Sequence, residues 1–205
     1  MVSIVLGNRE GPPGLTRDIV VIGASRGGVA ALIEIVAALP PGLQSTLLIV
    51  QHTSPPSQLP AILSRAGPLP AEHGRNGTRI ECGRIYVAPP DHHMTVGPNG
   101  FIQLNHGATE NYTRPAADPL FRSAASIYGS RVIGIVLTGG GSDGTQGLIA
   151  VEQAGGLAIV EAPGDALDPS MPLNALLHDN PNFCLPLGEI PGVIVRHSSI
   201  SQGSV

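Results

Sequence analysis

The chain has 205 residues, 42 % of them hydrophobic and only 13 % charged, enough to bury the core of one ordinary domain and too apolar for a disordered segment. Its formal net charge of −4 leaves no basic footprint for nucleic acid. All 11 basic residues are arginine, which excludes any chemistry that needs a lysine.

Residues 1–17 contain Gly11-Pro12-Pro13-Gly14 and read as a flexible leader, and the small, polar residues 198–205 read as a flexible tail, leaving one domain over 18–197. The opening Met1-Val2-Ser3-Ile4-Val5-Leu6-Gly7 lacks the basic start of a signal peptide. No run approaches the roughly 18 apolar residues of a membrane span. The expectation is a cytoplasmic protein with no membrane insertion. Cys82 and Cys184 fit no metal spacing and are expected as two buried thiols rather than a disulfide.

In chain order, Asp18-Ile19-Val20-Val21-Ile22 predicts a first strand running into Gly23-Ala24-Ser25-Arg26-Gly27-Gly28. Residues 29–39 have helical apolar spacing and stop at Pro40-Pro41-Gly42. Thr46-Leu47-Leu48-Ile49-Val50 is a second strand ending at Gln51-His52, and a helix follows over 57–65. Arg84-Ile85-Tyr86-Val87-Ala88 is a strand ended by Pro89-Pro90. His93-Met94-Thr95-Val96 and Phe101-Ile102-Gln103-Leu104 flank Gly97-Pro98-Asn99-Gly100, and Asn-Gly between two such runs signals a hairpin. A helix over 117–128, a strand over 132–137, a helix over 144–154 and a strand over 157–160 come next; a helix near 173–178 and a short strand over 183–185 close the series. The fold class is α/β: a doubly wound, mostly parallel sheet flanked by helices, with an inserted antiparallel β-hairpin.

Three of these strands end in loops that each carry one member of a serine-hydrolase triad. In an open parallel sheet the loops leaving the carboxyl ends of strands share one edge, where ligands bind. Gly23-Ala24-Ser25-Arg26-Gly27 fits the G-x-S-x-G pattern, a strand-to-helix turn that exposes the serine hydroxyl. Ser25 alone reads equally well as a helix cap. A serine needs a base to act near neutral pH. His52 supplies one, although alone it reads as an ordinary surface histidine. Asp143, in Thr138-Gly139-Gly140-Gly141-Ser142-Asp143-Gly144, would fix the imidazole tautomer, although alone it reads as an N-cap. The three occupy equivalent positions after their strands, and each has the chemistry the others require. Backbone N–H groups near Ser25 and Arg26, or across Gly139, Gly140 and Gly141, would hold the oxyanion.

Two rival readings are weaker. His92 and His93 are adjacent, so a strand would point them to opposite faces, and no ligand spacing accompanies them; no metal is expected. The glycine-rich turn also fits a dinucleotide-binding strand-turn-helix. The second strand, however, ends in Gln51-His52 rather than in an acid for the ribose, and the absence of lysine removes the Tyr-x-x-x-Lys of short-chain dehydrogenases.

The chain resembles the catalytic domain of bacterial chemotaxis protein-glutamate methylesterases, the CheB type. Five segments within 18–178 carry the resemblance. They are Ile22-Gly23-Ala24-Ser25 with Gly27-Gly28; Val50-Gln51-His52; Gly83-Arg84-Ile85-Tyr86-Val87-Ala88-Pro89 continuing through Asp91 to His93-Met94; Arg114-Pro115 with Asp118, Leu120 and Phe121; and Leu137-Thr138-Gly139 with Gly141, Asp143-Gly144 and Gly147. The resemblance implies a doubly wound fold, no cofactor, and hydrolysis of glutamyl methyl esters on cytoplasmic helices of a chemoreceptor or similar protein, with deamidation of certain glutamines. It puts nucleophile, base and orienting acid on Ser25, His52 and Asp143. Three positions depart from the family's usual pattern: Arg26 stands where a small residue is usual, Gly140 where Met is usual, and Leu173 where a basic residue commonly follows Met171-Pro172. Arg26 is expected to contact acidic groups of the substrate. The leader is too short for a receiver domain, so control is expected from a separate regulatory protein, from expression level, or from the leader folding over the site. The alternative to an esterase is a catalytically weak docking module using the same cleft.

Overall fold

The computed structural model describes residues 16–198. In chain order the elements are β1 (Ile19–Ala24), α1 (Gly28–Ala37), β2 (Thr46–Gln51), α2 (Leu59–Ala66), β3 (Ala71–His73), β4 (Ile85–Val87), β5 (His93–Gly97), β6 (Phe101–Asn105), α3 (Ala117–Tyr128), β7 (Val132–Val136), α4 (Thr145–Gln153), β8 (Leu157–Glu161), α5 (Ser170–His178), β9 (Phe183–Leu185) and α6 (Ile190–His197). Seven strands form one sheet in the order β3-β4-β2-β1-β7-β8-β9, and every pair in it is parallel. The order reverses between β1 and β7, the point at which a doubly wound sheet opens a crevice beyond its carboxyl ends.

The central strands β1, β2, β7 and β8 are buried on both sides, which is why they read as near-continuous Val, Ile and Leu. Alternation along β1 sends Val20, Ile22 and Ala24 to one core with α1, α2 and α6, and Ile19 and Val21 to a second with α3, α4 and α5. The β5–β6 pair is antiparallel, with His93 opposite Asn105 and Gly97 opposite Phe101. Its turn puts Asn99 at φ 60 and Gly100 at φ 75, the left-handed backbone that Asn and Gly accept most readily. Met94, Val96 and Ile102 pack this hairpin into the second core, and Val96 N–H donates to Ser123 Oγ of α3.

The structure corrects several sequence expectations. β3 was not foreseen: Ala-Glu-His is a three-residue edge strand with neither apolar run nor alternation to mark it. α6 was not foreseen either, because Pro191-Gly192 reads as a breaker; the proline sits in the first helical turn, where its missing N–H costs nothing. Residues 1–15 of the expected leader lie outside the described residues. Arg17, assigned to that leader, is buried and belongs to the fold: its guanidinium donates to the carbonyls of Ser130 and Gly155. Ser198, assigned to the tail, bonds Ser45 Oγ at 2.7 Å; the rest of the expected tail also lies outside the described residues. Cys82 is exposed and Cys184 half-buried, both unpaired, so the expected pair of buried thiols fails on exposure.

Candidate active site

Ser25 follows β1 directly, in a turn whose backbone is fixed from both sides. Its N–H donates to Thr138 O after β7, and its carbonyl accepts Gly28 N–H and Gln51 Nε2. Gly139 is the close-approach position. A methyl group added there would come within 2.7 Å of Ser25 Cβ and also run into Met171 Sδ. Only hydrogen at Gly139 lets the β7–α4 turn lie against the Ser25 turn.

His52 leaves β2 one residue past Gln51, its N–H held by Ala24 O at 3.1 Å. Its Nε2 stands 2.7 Å from Asp143 Oδ2. Asp143 is buried, and its two oxygens are fully engaged. Oδ2 also accepts Ala117 N–H at 2.6 Å; Oδ1 accepts the N–H groups of Asp118 and Gly144 and one amide hydrogen of Asn111. Asp143 does cap a helix, but the helix is α3, whose first N–H groups it accepts; toward α4 it meets only the N–H of Gly144, the residue that precedes that helix. Burial alone would raise its carboxyl; the hydrogen bond to His52 and the N–H groups of Ala117 and Asp118 outweigh that and hold it below its ordinary value. With Nε2–H donated to a carboxylate, Nδ1 is the ring nitrogen left to act as a base. Among the described residues, Ser25 Oγ makes no hydrogen bond, a looseness common where substrate is absent.

The loop before α3 completes the surroundings. Asn111 Nδ2 divides its two hydrogens between Asp118 Oδ2 at 2.8 Å and Asp143 Oδ1 at 3.1 Å. Burial pushes the Asp118 carboxyl up, Gly147 N–H pulls it back, and the nearby Asp143 charge adds to the rise. Thr113 Oγ1 donates to Glu110 O and lies 3.3 Å from His52 Nε2. A cavity of about 360 Å³ opens between residues 52–54 and residues 112–115.

The three candidate residues Ser25, His52 and Asp143 thus follow neighbouring strands at one edge of the sheet, with His52 and Asp143 in contact. The oxyanion candidates separate. Ser25 N–H is taken by Thr138 O, and Gly139 N–H donates to Asp168 O at 2.9 Å, so neither is available as an oxyanion donor. The N–H groups of Arg26, Gly140 and Gly141 meet no acceptor among the described residues. Arg26 NH1 lies 3.0 Å from Asp168 Oδ2, with its side chain three-quarters exposed. Sequence reasoning missed Asn111, Thr113, Thr138 and Asp168, whose roles come from contacts across the fold. Thr138 ties three loops together: its hydroxyl bonds Arg26 O and accepts Asp168 N–H, and its N–H donates to Glu161 Oε2 at 2.6 Å. His93 is a buried structural residue, with Nε2 on Ala108 O and Nδ1 accepting Ala116 N–H. Among the described residues, no group of three or more His, Cys, Asp or Glu is placed to hold a metal ion.

The CheB methylesterase family model matches residues 20–194. The chain belongs to the CheB methylesterase family. The crystal structure of the Thermotoga maritima CheB methylesterase catalytic domain superposes with a TM-score of 0.85 at 32 % identity, over 89 % of this chain and 99 % of that one. A protein-glutamate methylesterase/protein-glutamine glutaminase of Pyrococcus abyssi is 33 % identical over 91 % of this chain and 52 % of its own length. A relative of the same name, numbered 2, in Caulobacter vibrioides is 38 % identical over 90 % of the chain and 55 % of its own length. A putative one from Leptospira interrogans is 33 % identical over 87 % of the chain and 94 % of its own length. The chain therefore spans about half the length of the first two relatives and nearly all of the third. No helix among the described residues of this CheB-family chain is long and apolar enough to cross a membrane.

Proposed function

We propose that this chain is a serine hydrolase that removes methyl esters from glutamyl side chains of a chemoreceptor or similar signalling protein, with a related action on glutamine amides. The observation that carries the reading is the 2.7 Å bond between His52 Nε2 and Asp143 Oδ2, made beside the Ser25 turn at the switch point of a CheB-family sheet. Ser25 Oγ attacks the ester carbonyl while His52 Nδ1 takes its proton. The N–H of Arg26, joined by those of Gly140 and Gly141, faces the developing oxyanion. His52 returns the proton to the departing methanol, leaving a glutamyl ester on Ser25. Water then adds to the acyl carbon with His52 again as base; the Oγ–acyl bond breaks, Ser25 Oγ takes the proton back from His52, and the glutamate side chain departs. With an amide the same steps release ammonia. Asp143 keeps the imidazole oriented and stabilises its charged form.

Arg26, exposed beside the nucleophile, suits carboxylates flanking the ester on an acidic helix, with Asp168 holding its guanidinium in place. The partners in this reading are methylated cytoplasmic receptor helices, and the protein acts in the same compartment. The test is time-dependent labelling of Ser25 by a serine-reactive phosphonate, together with methanol release from methylated receptor. Labelling with turnover supports the esterase. Receptor binding with neither labelling nor turnover would leave only a docking module.

A further inference from the structure

The chain has three tyrosines, and they are used in contrasting ways. Tyr86 is buried and Tyr128 half-buried, whereas Tyr112 is fully exposed at the tip of the loop beside His52. Asn111 and Tyr112 both have left-handed backbones, φ 50 and φ 63. Glu110 and Thr113 exchange both backbone hydrogen bonds around them, which makes a two-residue turn. Such turns take Asn at the first position and favour Gly at the second. A tyrosine there is conformationally costly and gains nothing from burial.

The turn is nonetheless held rigidly. Asn111 is clamped on two carboxylates, Asp118 and Asp143, and Thr113 on Glu110 O with His52 within 3.3 Å. The ring is thus presented from a fixed base at the mouth of the cavity that His52 lines. A strained, exposed aromatic on a rigid mount suits contact with something that arrives from outside. We infer that Tyr112 is a specificity-determining residue: its ring packs on an apolar side chain one helical turn from the methylated glutamate of the substrate helix. On a helix, residues three and four positions apart share a face, so a glutamyl ester entering beside His52 brings such a neighbour over the cavity mouth.

This inference rests on the methylesterase reading, and the experiment separates the two. Wild type, Tyr112→Asn and Tyr112→Phe are assayed on two helix-stabilised peptides with one methylated glutamate and on a small glutamyl methyl ester. One peptide has Leu three and four residues from the ester; the other has Ala there. Asn accepts a left-handed backbone, so it deletes the ring and keeps the turn. The expected result is that Tyr112→Asn loses about tenfold in kcat/KM on the Leu peptide, the low end of what one apolar contact contributes to discrimination. The loss should fall on KM, leaving the Leu and Ala peptides alike, and Tyr112→Phe should keep the wild-type preference. An undiminished Leu preference in Tyr112→Asn, or an equal loss on all three substrates, overturns the inference. A wild-type protein that cleaves none of the three overturns the methylesterase reading itself.

Discussion

Asp143 Oδ2 stands 2.7 Å from His52 Nε2 and 2.6 Å from the backbone nitrogen of Ala117, so one buried oxygen both orients the imidazole and closes the N-terminus of α3. The orientation of the imidazole and the stability of α3 are coupled at this atom. Asp143→Asn puts an amide where every neighbour is a donor, so it should lose about 10⁴-fold in rate and about 1–3 kcal/mol of stability. His52→Ala should lose the rate and little of the stability. The folded Asp143 carboxyl lies below its ordinary value, burial being outweighed by His52 and the α3 N–H groups. Its ionisation therefore stabilises the fold above the unfolded carboxylate range, about 3.9, and that contribution fades as pH falls through the lower folded value. Urea midpoints should show the gap between wild type and Asp143→Asn narrowing between pH 7 and pH 3. A constant gap would mean that the charge is not its source.

Ser25→Ala should abolish methanol release by several orders of magnitude while leaving the thermal midpoint near wild type. All the hydrogen bonds of Ser25 to Thr138, Gly28 and Gln51 are made by its backbone, so removing Oγ breaks none of them. A variant that keeps more than about a tenth of the rate would exclude Ser25 as nucleophile, since loss of a triad member costs far more.

Two neighbouring glycines should respond in opposite ways. Gly139→Ala forces a Cβ to within 2.7 Å of Ser25 Cβ and into Met171 Sδ, so activity and stability should both fall. At Gly140 the added Cβ meets only Asp168 Oδ2, at 3.2 Å; Oδ1 of that carboxylate is anchored on Ser170, but Oδ2 faces the exposed Arg26, so a small rotation about the anchored oxygen relieves the contact. Gly140→Ala should hold its stability or gain up to about 1 kcal/mol by restricting the unfolded chain. Thermal midpoints and ester turnover of the two variants check this. Similar behaviour in both would contradict the close approach assigned to Gly139.

The elements that sequence pattern revealed are those governed by local rules. Buried parallel strands write themselves as Val-Ile-Leu runs, and Asn99-Gly100 marks its own turn through the backbone it accepts. The positions of Ser25, His52 and Asp143 followed from one topological rule about strand ends. What stayed hidden depends on contacts far apart in sequence. No pattern says that Asp143 caps α3 rather than α4, that Gly139 N–H is committed to Asp168, or that Asn111 bridges two carboxylates. β3 gave no signal because a short edge strand needs none of the apolar periodicity of a buried one.

Glu161 supplies the last prediction. Its carboxylate, buried at the end of β8, accepts Thr138 N–H at 2.6 Å and so fixes the turn that carries Thr138 O to Ser25. Burial raises its pKa, the Thr138 N–H partly offsets this, and the charges of Asp165 and Glu34 add to the rise. The folded value therefore lies above the unfolded one, about 4.3. The stability that the protonated group contributes is complete below that value and is lost as pH rises through the raised folded value. Glu161→Gln keeps a carbonyl oxygen for Thr138 N–H and removes the charge. Relative to wild type, the variant should gain stability as pH rises from 4 to 7 and be at least as stable at pH 7, with ester turnover retained. Thermal midpoints of the two proteins across that range test it. A difference independent of pH, or a wild type that gains on the variant toward neutrality, would show that the Glu161 charge stabilises this turn instead of straining it.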